Sequence, residues 1–92
     1  MSSETIRKRL VVHGKVQGVF FRHSIREVAG NEGVSGWATN RDDGTVEVVL
    51  EGPPDAVQAV AEYCRVGPVS AQVDRVDERD ETPEGLHGFE IR

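Results

Sequence analysis

Apolar residues repeat with helical spacing in two segments of the chain. The first segment places Phe21, Ile25, Val28 and Ala29 on one helix face, and Gly33 follows as a helix-ending residue. The second helix begins near Gly52-Pro53-Pro54-Asp55, because proline is tolerated in the first turn, and it ends at Gly67-Pro68. Its predicted apolar face consists of Ala56, Val57, Val60, Ala61 and Cys64.

Other segments have the pattern of β-strands. Residues 6–13 carry Leu10-Val11-Val12 behind a basic lead-in, which predicts a largely buried strand. Residues 34–40 and 45–51 are predicted to form a β-hairpin whose turn is residues 41–44, because Asp43-Gly44 suits a tight reversal. In its second strand the apolar positions alternate, at Val46, Val48 and Leu50.

The last third of the chain has a weaker pattern. Val69, Ala71 and Val73 alternate, whereas Val76 falls out of phase, which predicts a bulge or an early strand end. Residues 77–85 are predicted to form a loop, and the acidic stretch 74–84 is interpreted as a solvated edge and loop. Residues 88–91 predict a short last strand.

The predicted order is strand, helix, strand, strand, helix, strand, with one more strand at the end. This order is typical of an α+β protein with the ferredoxin-like split βαβ sandwich (βαββαβ), in which two helices pack on one face of a mostly antiparallel sheet. A length of 92 residues predicts a single domain, 1–92, with residues 1–5 as a flexible tail.

The charge of the chain is unevenly distributed. Residues 1–26 carry six basic residues and one acidic residue, whereas residues 27–92 carry five basic and fifteen acidic residues. The formal net charge of −5 argues against a general nucleic-acid binder, but the basic first part could attract a small anion.

No apolar stretch approaches the roughly 20 residues of a membrane span, and no signal peptide is evident. The lone Cys64 excludes an intramolecular disulfide and a multi-cysteine zinc site. We therefore expect a cytoplasmic protein, and nothing in the sequence indicates more than a monomer.

The segment between the first strand and the first helix has the composition of an anion-binding loop. Gly14 and Gly18 bracket it, so successive backbone N–H groups can point into one concavity. Arg22 lies near the helix N-terminus and can grip two oxygens of a phosphate. A tight strand–helix turn, with Arg22 on a solvated face, explains the spacing equally well.

The same residues carry a family resemblance. The run Gly14-Lys15-Val16-Gln17-Gly18-Val19-Phe20-Phe21-Arg22 resembles the acylphosphatase signature G-x-V-Q-G-V-x-F-R. Residues 36–40, 43–47 and 88–91 resemble the family's second element, the hairpin that follows it and its last strand, so the match runs from about Leu10 to Arg92. The resemblance implies the ferredoxin-like sandwich and hydrolysis of an acyl phosphate to a carboxylate and inorganic phosphate without a metal or other cofactor.

The resemblance also implies the site residues. Arg22 takes the role of the phosphate-binding arginine, and Asn40 that of the amide that positions water. The backbone cradle for the substrate phosphate comprises Lys15, Val16, Gln17, Gly18, Val19 and Phe20.

Such chemistry needs few side chains. The leaving group is a carboxylate, and its conjugate acid has a pKa of about 4. The carboxylate therefore departs without a general acid. Positioning and charge stabilisation remain, and the substrate's own phosphate can accept the proton of the water.

Other candidate residues have simpler explanations. His13, His23 and His87 lack zinc-ligand spacing, and His23 diverges from Arg22 by about 100 degrees on a helix. Asp42-Asp43 is interpreted as turn chemistry, and Trp37 and Cys64 as packing residues. Adjacent Phe20 and Phe21 do not form the alternating aromatic platform of an RNA-binding sheet.

Two other functions stay open at this point. An anion-binding module would retain the cradle but turn over little, and phosphate affinity without turnover would select it. The acylphosphatase-like part of a larger carbamoyl-transfer enzyme is the other, although the chain lacks cysteine pairs of the zinc-binding type.

Overall fold

The computed structural model describes residues 4–92, in which two helices cover one face of a five-stranded sheet. In chain order the elements are β1 (Ile6–Lys15), α1 (Phe21–Glu32), β2 (Ser35–Asn40), β3 (Val46–Gly52), α2 (Pro54–Cys64), β4 (Gln72–Glu81) and β5 (Phe89–Ile91). The strand order is β4-β1-β3-β2-β5, and only β2 and β5 pair in parallel. The predicted fold class is therefore confirmed.

The predicted flexible tail, residues 1–5, lies partly outside the described residues. Glu4 and Thr5 precede β1 without regular structure, and both are exposed. No helix within residues 4–92 is long and apolar enough to cross a membrane.

The core lies between the sheet and the helices, as the two periodicities predict. Leu10 and Val12 of β1 are fully buried, and Phe21, Ile25 and Ala29 of α1 are buried in the same core. Burying a side chain of this size contributes roughly 1.5–3 kcal/mol. The core residues of β3 and α2 are Val46, Val48, Leu50, Val57, Val60, Ala61 and Cys64.

Cys64 is a packing residue, as predicted. Its side chain is fully buried, and burial raises the pKa of the thiol to about 12. The thiol therefore stays protonated at neutral pH and is a poor nucleophile.

The prediction of a loop at residues 77–85 is wrong for most of that stretch. Strand β4 starts at Gln72 and continues to Glu81 along the edge of the sheet. The acidic side chains belong to the strand because their partners are the basic residues of β1. Lys8 Nζ lies 2.8 Å from Asp80 Oδ1 and 3.0 Å from Glu78 Oε2, while Arg9 Nε lies 2.7 Å from Glu81.

This pairing also narrows the part of residues 1–26 that could attract an anion. Arg7, Lys8 and Arg9 neutralise acids of β3 and β4, so they do not concentrate positive potential on a ligand. The predicted bulge is present, because His13 pairs with Arg75 and the next residue, Gly14, pairs with Val73. The extra residue on β4 is Asp74, and it explains why Val76 falls out of phase.

A buried carboxylate fixes the connection between β4 and β5. Glu51 is only 3% exposed and accepts a hydrogen bond of 2.7 Å from Arg7 Nη1. It also accepts the main-chain N–H groups of Glu84, Gly85 and Leu86, at 2.9, 3.1 and 3.0 Å. Burial by itself would raise the pKa of Glu51, but these hydrogen bonds outweigh it, and the pKa lies below its ordinary value.

We predict that Glu51 makes the protein sensitive to acid. Its contribution is complete at neutral pH and is lost as the pH falls through its lowered pKa, because the unfolded chain binds the proton more readily. Glu51→Gln should reduce the free energy of unfolding at pH 7 by about 3 kcal/mol, the scale for breaking a buried ion pair. Urea unfolding at pH 7 and pH 3 measures both effects.

The variant should lose less stability than the wild type between these two pH values. The matched control is Glu27→Gln on the exposed surface of α1, which should behave like the wild type. Equal pH dependence in wild type and Glu51→Gln would contradict this prediction.

Candidate active site

In the loop between β1 and α1, the sign of φ alternates from Gln17 to Phe20. Gly18 and Phe20 have φ values of +73° and +60°, and the φ angles of Gln17 and Val19 are not positive. This alternation is typical of a nest, in which neighbouring N–H groups point to one side. No acceptor within residues 4–92 bonds the N–H groups of residues 16–20, so they are available to an anion.

Helix α1 begins immediately after this loop, at Phe21. The Phe21 ring is buried against Gly67, where an added Cβ would lie 2.6 Å from the ring. This close contact fixes the start of the helix. The first turn of α1 therefore adds its partial positive charge to the nest.

Arg22 is held by the end of the chain that follows β5. Its Nη1 donates a hydrogen bond of 2.7 Å to the main-chain oxygen of Arg92. Arg92 in turn donates its main-chain N–H to Ala38 at 2.8 Å, and its guanidinium lies 4.7 Å from the centre of the Trp37 ring. Arg22 Nε and Nη2 have no partner within residues 4–92, which leaves them to bind a ligand.

Asn40 is the last residue of β2, and its side chain is exposed where the hairpin turn begins. Asp43 builds the turn: one carboxylate oxygen accepts the main-chain N–H of Thr45 at 3.0 Å and its hydroxyl at 2.6 Å. Hydrogen bonds from Thr45 hold the pKa of Asp43 below its ordinary value. The interpretation of Asp42-Asp43 as turn chemistry thus agrees with the structure.

One cavity of about 250 Å³ joins these elements. It is lined by Val16, Gly18, Phe20, Phe21, Arg22, His23 and Asn40. The volume suits a small ligand rather than a cofactor. A phosphate here would meet backbone N–H groups, a helix N-terminus and a guanidinium, with a side-chain amide beside it.

Three residues of the predicted cradle lie outside the cavity wall. Lys15 is exposed at the end of β1, and Val19 is buried in the core. Gln17 points to the hairpin, where its Nε2 donates to the main-chain oxygens of Arg41 and Thr45 at 2.8 and 2.9 Å. Its side chain therefore ties the loop of Arg22 to the turn that follows Asn40.

Sequence reasoning missed three contributions to the site. His23 was expected to diverge from Arg22, but both line the cavity because the first turn of α1 faces it. Phe21 contributes to the wall as well as to the core. The contact between Arg22 and Arg92 had no local signal, since 70 residues separate the partners.

A cavity of about 440 Å³ lies on the open face of the sheet. Its wall carries three arginines but also three carboxylates, Glu47, Asp77 and Glu78, and Arg9 and Arg79 are paired with acids. The smaller cavity is therefore the better anion site. Within residues 4–92, no three His, Cys, Asp or Glu side chains are grouped to hold a metal, and His13 instead bonds Asp77 at 2.9 Å.

The fold and the cavity together define a small α+β protein with an anion site at a strand–helix loop. The family model described as acylphosphatase matches residues 8–91. The chain is 57% identical over 83 residues to an acylphosphatase of Pyrobaculum arsenaticum, covering 89% of this chain and 87% of the relative. It is 50% identical over 86 residues to an acylphosphatase of Gloeobacter violaceus, covering 94% and 92%.

A solved structure agrees with the sequence comparisons. The crystal structure of acylphosphatase from Bacillus subtilis superposes with a TM-score of 0.91 at 36% identity, covering 95% of this chain and 98% of that one. The chain belongs to the acylphosphatase family, whose members are hydrolases that cleave acyl phosphates.

We predict that Gln17 sets the distance between the loop and Asn40. Gln17→Ala removes two hydrogen bonds, which should lower the free energy of unfolding by about 1–3 kcal/mol. It should lower kcat by about tenfold, because Arg22 and Asn40 lose their relative alignment. Inorganic phosphate should still inhibit, since the nest and Arg22 lie on the same side of this tether. Steady-state kinetics with benzoyl phosphate gives kcat and the inhibition constant.

Gln58→Ala is the matched control, because Gln58 bonds only Glu62 on the exposed face of α2. It should leave kcat unchanged. A kcat for Gln17→Ala within twofold of the wild type would show that the tether has no part in positioning.

Proposed function

We propose that this chain hydrolyses an acyl phosphate in the cavity between the β1–α1 loop and Asn40, releasing a carboxylate and inorganic phosphate. One observation carries the proposal: a single cavity joins the nest, Arg22 and Asn40. The family's reaction needs a phosphate site beside a group that orients water. Residues of the nest, Arg22 and Asn40 line the same cavity.

The phosphate group of the substrate binds at the nest. Backbone N–H groups of residues 16–20 and the two unpartnered nitrogens of Arg22 donate to its oxygens. The hydrogen bond from Nη1 to Arg92 already holds the guanidinium, so little side-chain freedom is lost on binding. These donors stabilise the charge that the equatorial oxygens carry in the transition state.

Asn40 orients the attacking water through its side-chain amide. The oxygen of the water forms a bond to phosphorus as the bond from phosphorus to the acyl oxygen breaks, and the carboxylate takes that electron pair. The proton of the water passes to a phosphate oxygen of the substrate. The reaction therefore needs no protein base and no metal or other cofactor, because a carboxylate is a good leaving group at neutral pH.

We also propose that residues 1–92 act as one monomeric unit in the cytoplasm and bind no nucleic acid. Several observations support this. The arginines Arg7 and Arg9 of the open sheet face are paired with acids, and Trp37 lies beside Arg9 and Arg92. Large exposed apolar side chains within residues 4–92 are few, and the free Cys64 suits a reducing compartment.

We predict that two substitutions separate binding from turnover. Arg22→Ala should abolish both phosphate binding and turnover, because the nest alone lacks the charged fork. Asn40→Ala should lower kcat by about 10²-fold or more but leave phosphate inhibition nearly intact. The assay is benzoyl phosphate hydrolysis in the presence of a chelator, followed by ultraviolet absorbance.

The matched controls are Arg26→Ala and Asn31→Ala, both on exposed positions of α1 outside the cavity. They should retain wild-type rates. Wild-type turnover by Asn40→Ala would refute its role in positioning water. Phosphate binding in a titration of a wild type that does not turn over would favour the binding-module hypothesis instead.

A further inference from the structure

Phe20 is held in a conformation that its residue type disfavours. It is the one non-glycine residue within residues 4–92 with a positive φ, at +60°. A bulky side chain at such a φ is a source of strain, and strained residues concentrate at ligand sites. The residue is also the N-cap of α1 and makes no side-chain capping bond. Asparagine or glycine would fit this position better on structural grounds.

The Phe20 ring contributes nothing evident to the core. It is 76% exposed, although the adjacent Val19 and Phe21 are buried. The ring contacts the His23 ring edge to face, with the two ring centroids 6.2 Å apart. Both rings belong to residues that line the cavity around Arg22. An exposed apolar ring is thus part of the same cavity wall as Arg22.

The proposed function assigns no protein contact to the acyl group of the substrate. The nest, Arg22 and Asn40 all address the phosphate and the water. The acyl group lies on the side of phosphorus opposite the attacking water, because the leaving carboxylate departs there. Phe20 is the exposed apolar residue of the cavity wall, so it is the side chain able to receive an apolar acyl group.

Resting on the proposed function, we propose that Phe20 is a specificity-determining residue whose ring, with His23 beside it, packs against the acyl group. The site then favours acyl phosphates with an apolar, planar acyl group over those with a small acyl group. An aromatic contact of this kind changes a rate ratio by about two- to tenfold. The strain at Phe20 is consistent with a ring retained for this contact.

The test compares kcat/KM for benzoyl phosphate with kcat/KM for acetyl phosphate. Phe20→Asn removes the ring, and asparagine tolerates the left-handed backbone. Phe20→Gly also removes the ring, and glycine adopts this φ without strain. Both variants should lower the benzoyl-to-acetyl ratio by more than about twofold and by up to about tenfold. Phe20→Tyr keeps the ring and should keep the ratio.

Val69→Asn is the matched control, since Val69 is fully exposed and lies outside the cavity wall. It should change neither rate. A ratio within twofold of the wild type in both Phe20→Asn and Phe20→Gly would overturn the inference while leaving the proposed function intact. A folded wild type that hydrolyses neither substrate would instead overturn the proposed function, and this inference with it.

Discussion

The site depends on how two distant segments, the hairpin and the residue after β5, are held against one short loop. Gln17 ties the loop to the hairpin by two hydrogen bonds, and Arg22 is bonded to the main chain of Arg92. A nest binds an anion only if its N–H groups stay pointed to one side, so it needs a rigid frame. The sheet supplies that frame, because the loop leaves β1 while Asn40 ends β2, and both strands pair with β3.

Most of the charged side chains described above stabilise the sheet, whereas Arg22 is proposed to bind the ligand. The basic side chains of β1 are paired across the sheet, and the buried Glu51 gathers Arg7 and the loop before β5. That loop leads to β5 and then to Arg92, which orients Arg22. The ion pairs of the sheet therefore contribute to the site through the position of the last strand, whereas Arg22 is the charge that we propose binds the ligand.

Local patterns predicted much of the fold and part of the site. The helices and the hairpin follow from periodicity and from a glycine turn, and the resemblance pointed to Arg22 and Asn40, which the structure places on one cavity. The second half of β4 was missed because its acidic residues look like a loop until their partners in β1 are known, about 70 residues earlier. The positive φ of Phe20 and the tether of Gln17 are likewise tertiary features that no local pattern encodes.

The most direct test of the central claim is a titration with inorganic phosphate, followed by the ¹H–¹⁵N shifts of the backbone amides and the arginine Nε groups. The account predicts that the amides of residues 16–20 and Nε of Arg22 shift together and give one dissociation constant. The amide of Asn40 should move with them as the neighbouring cavity wall. Shifts centred instead on Arg9 and Arg79, on the open face of the sheet, would contradict it.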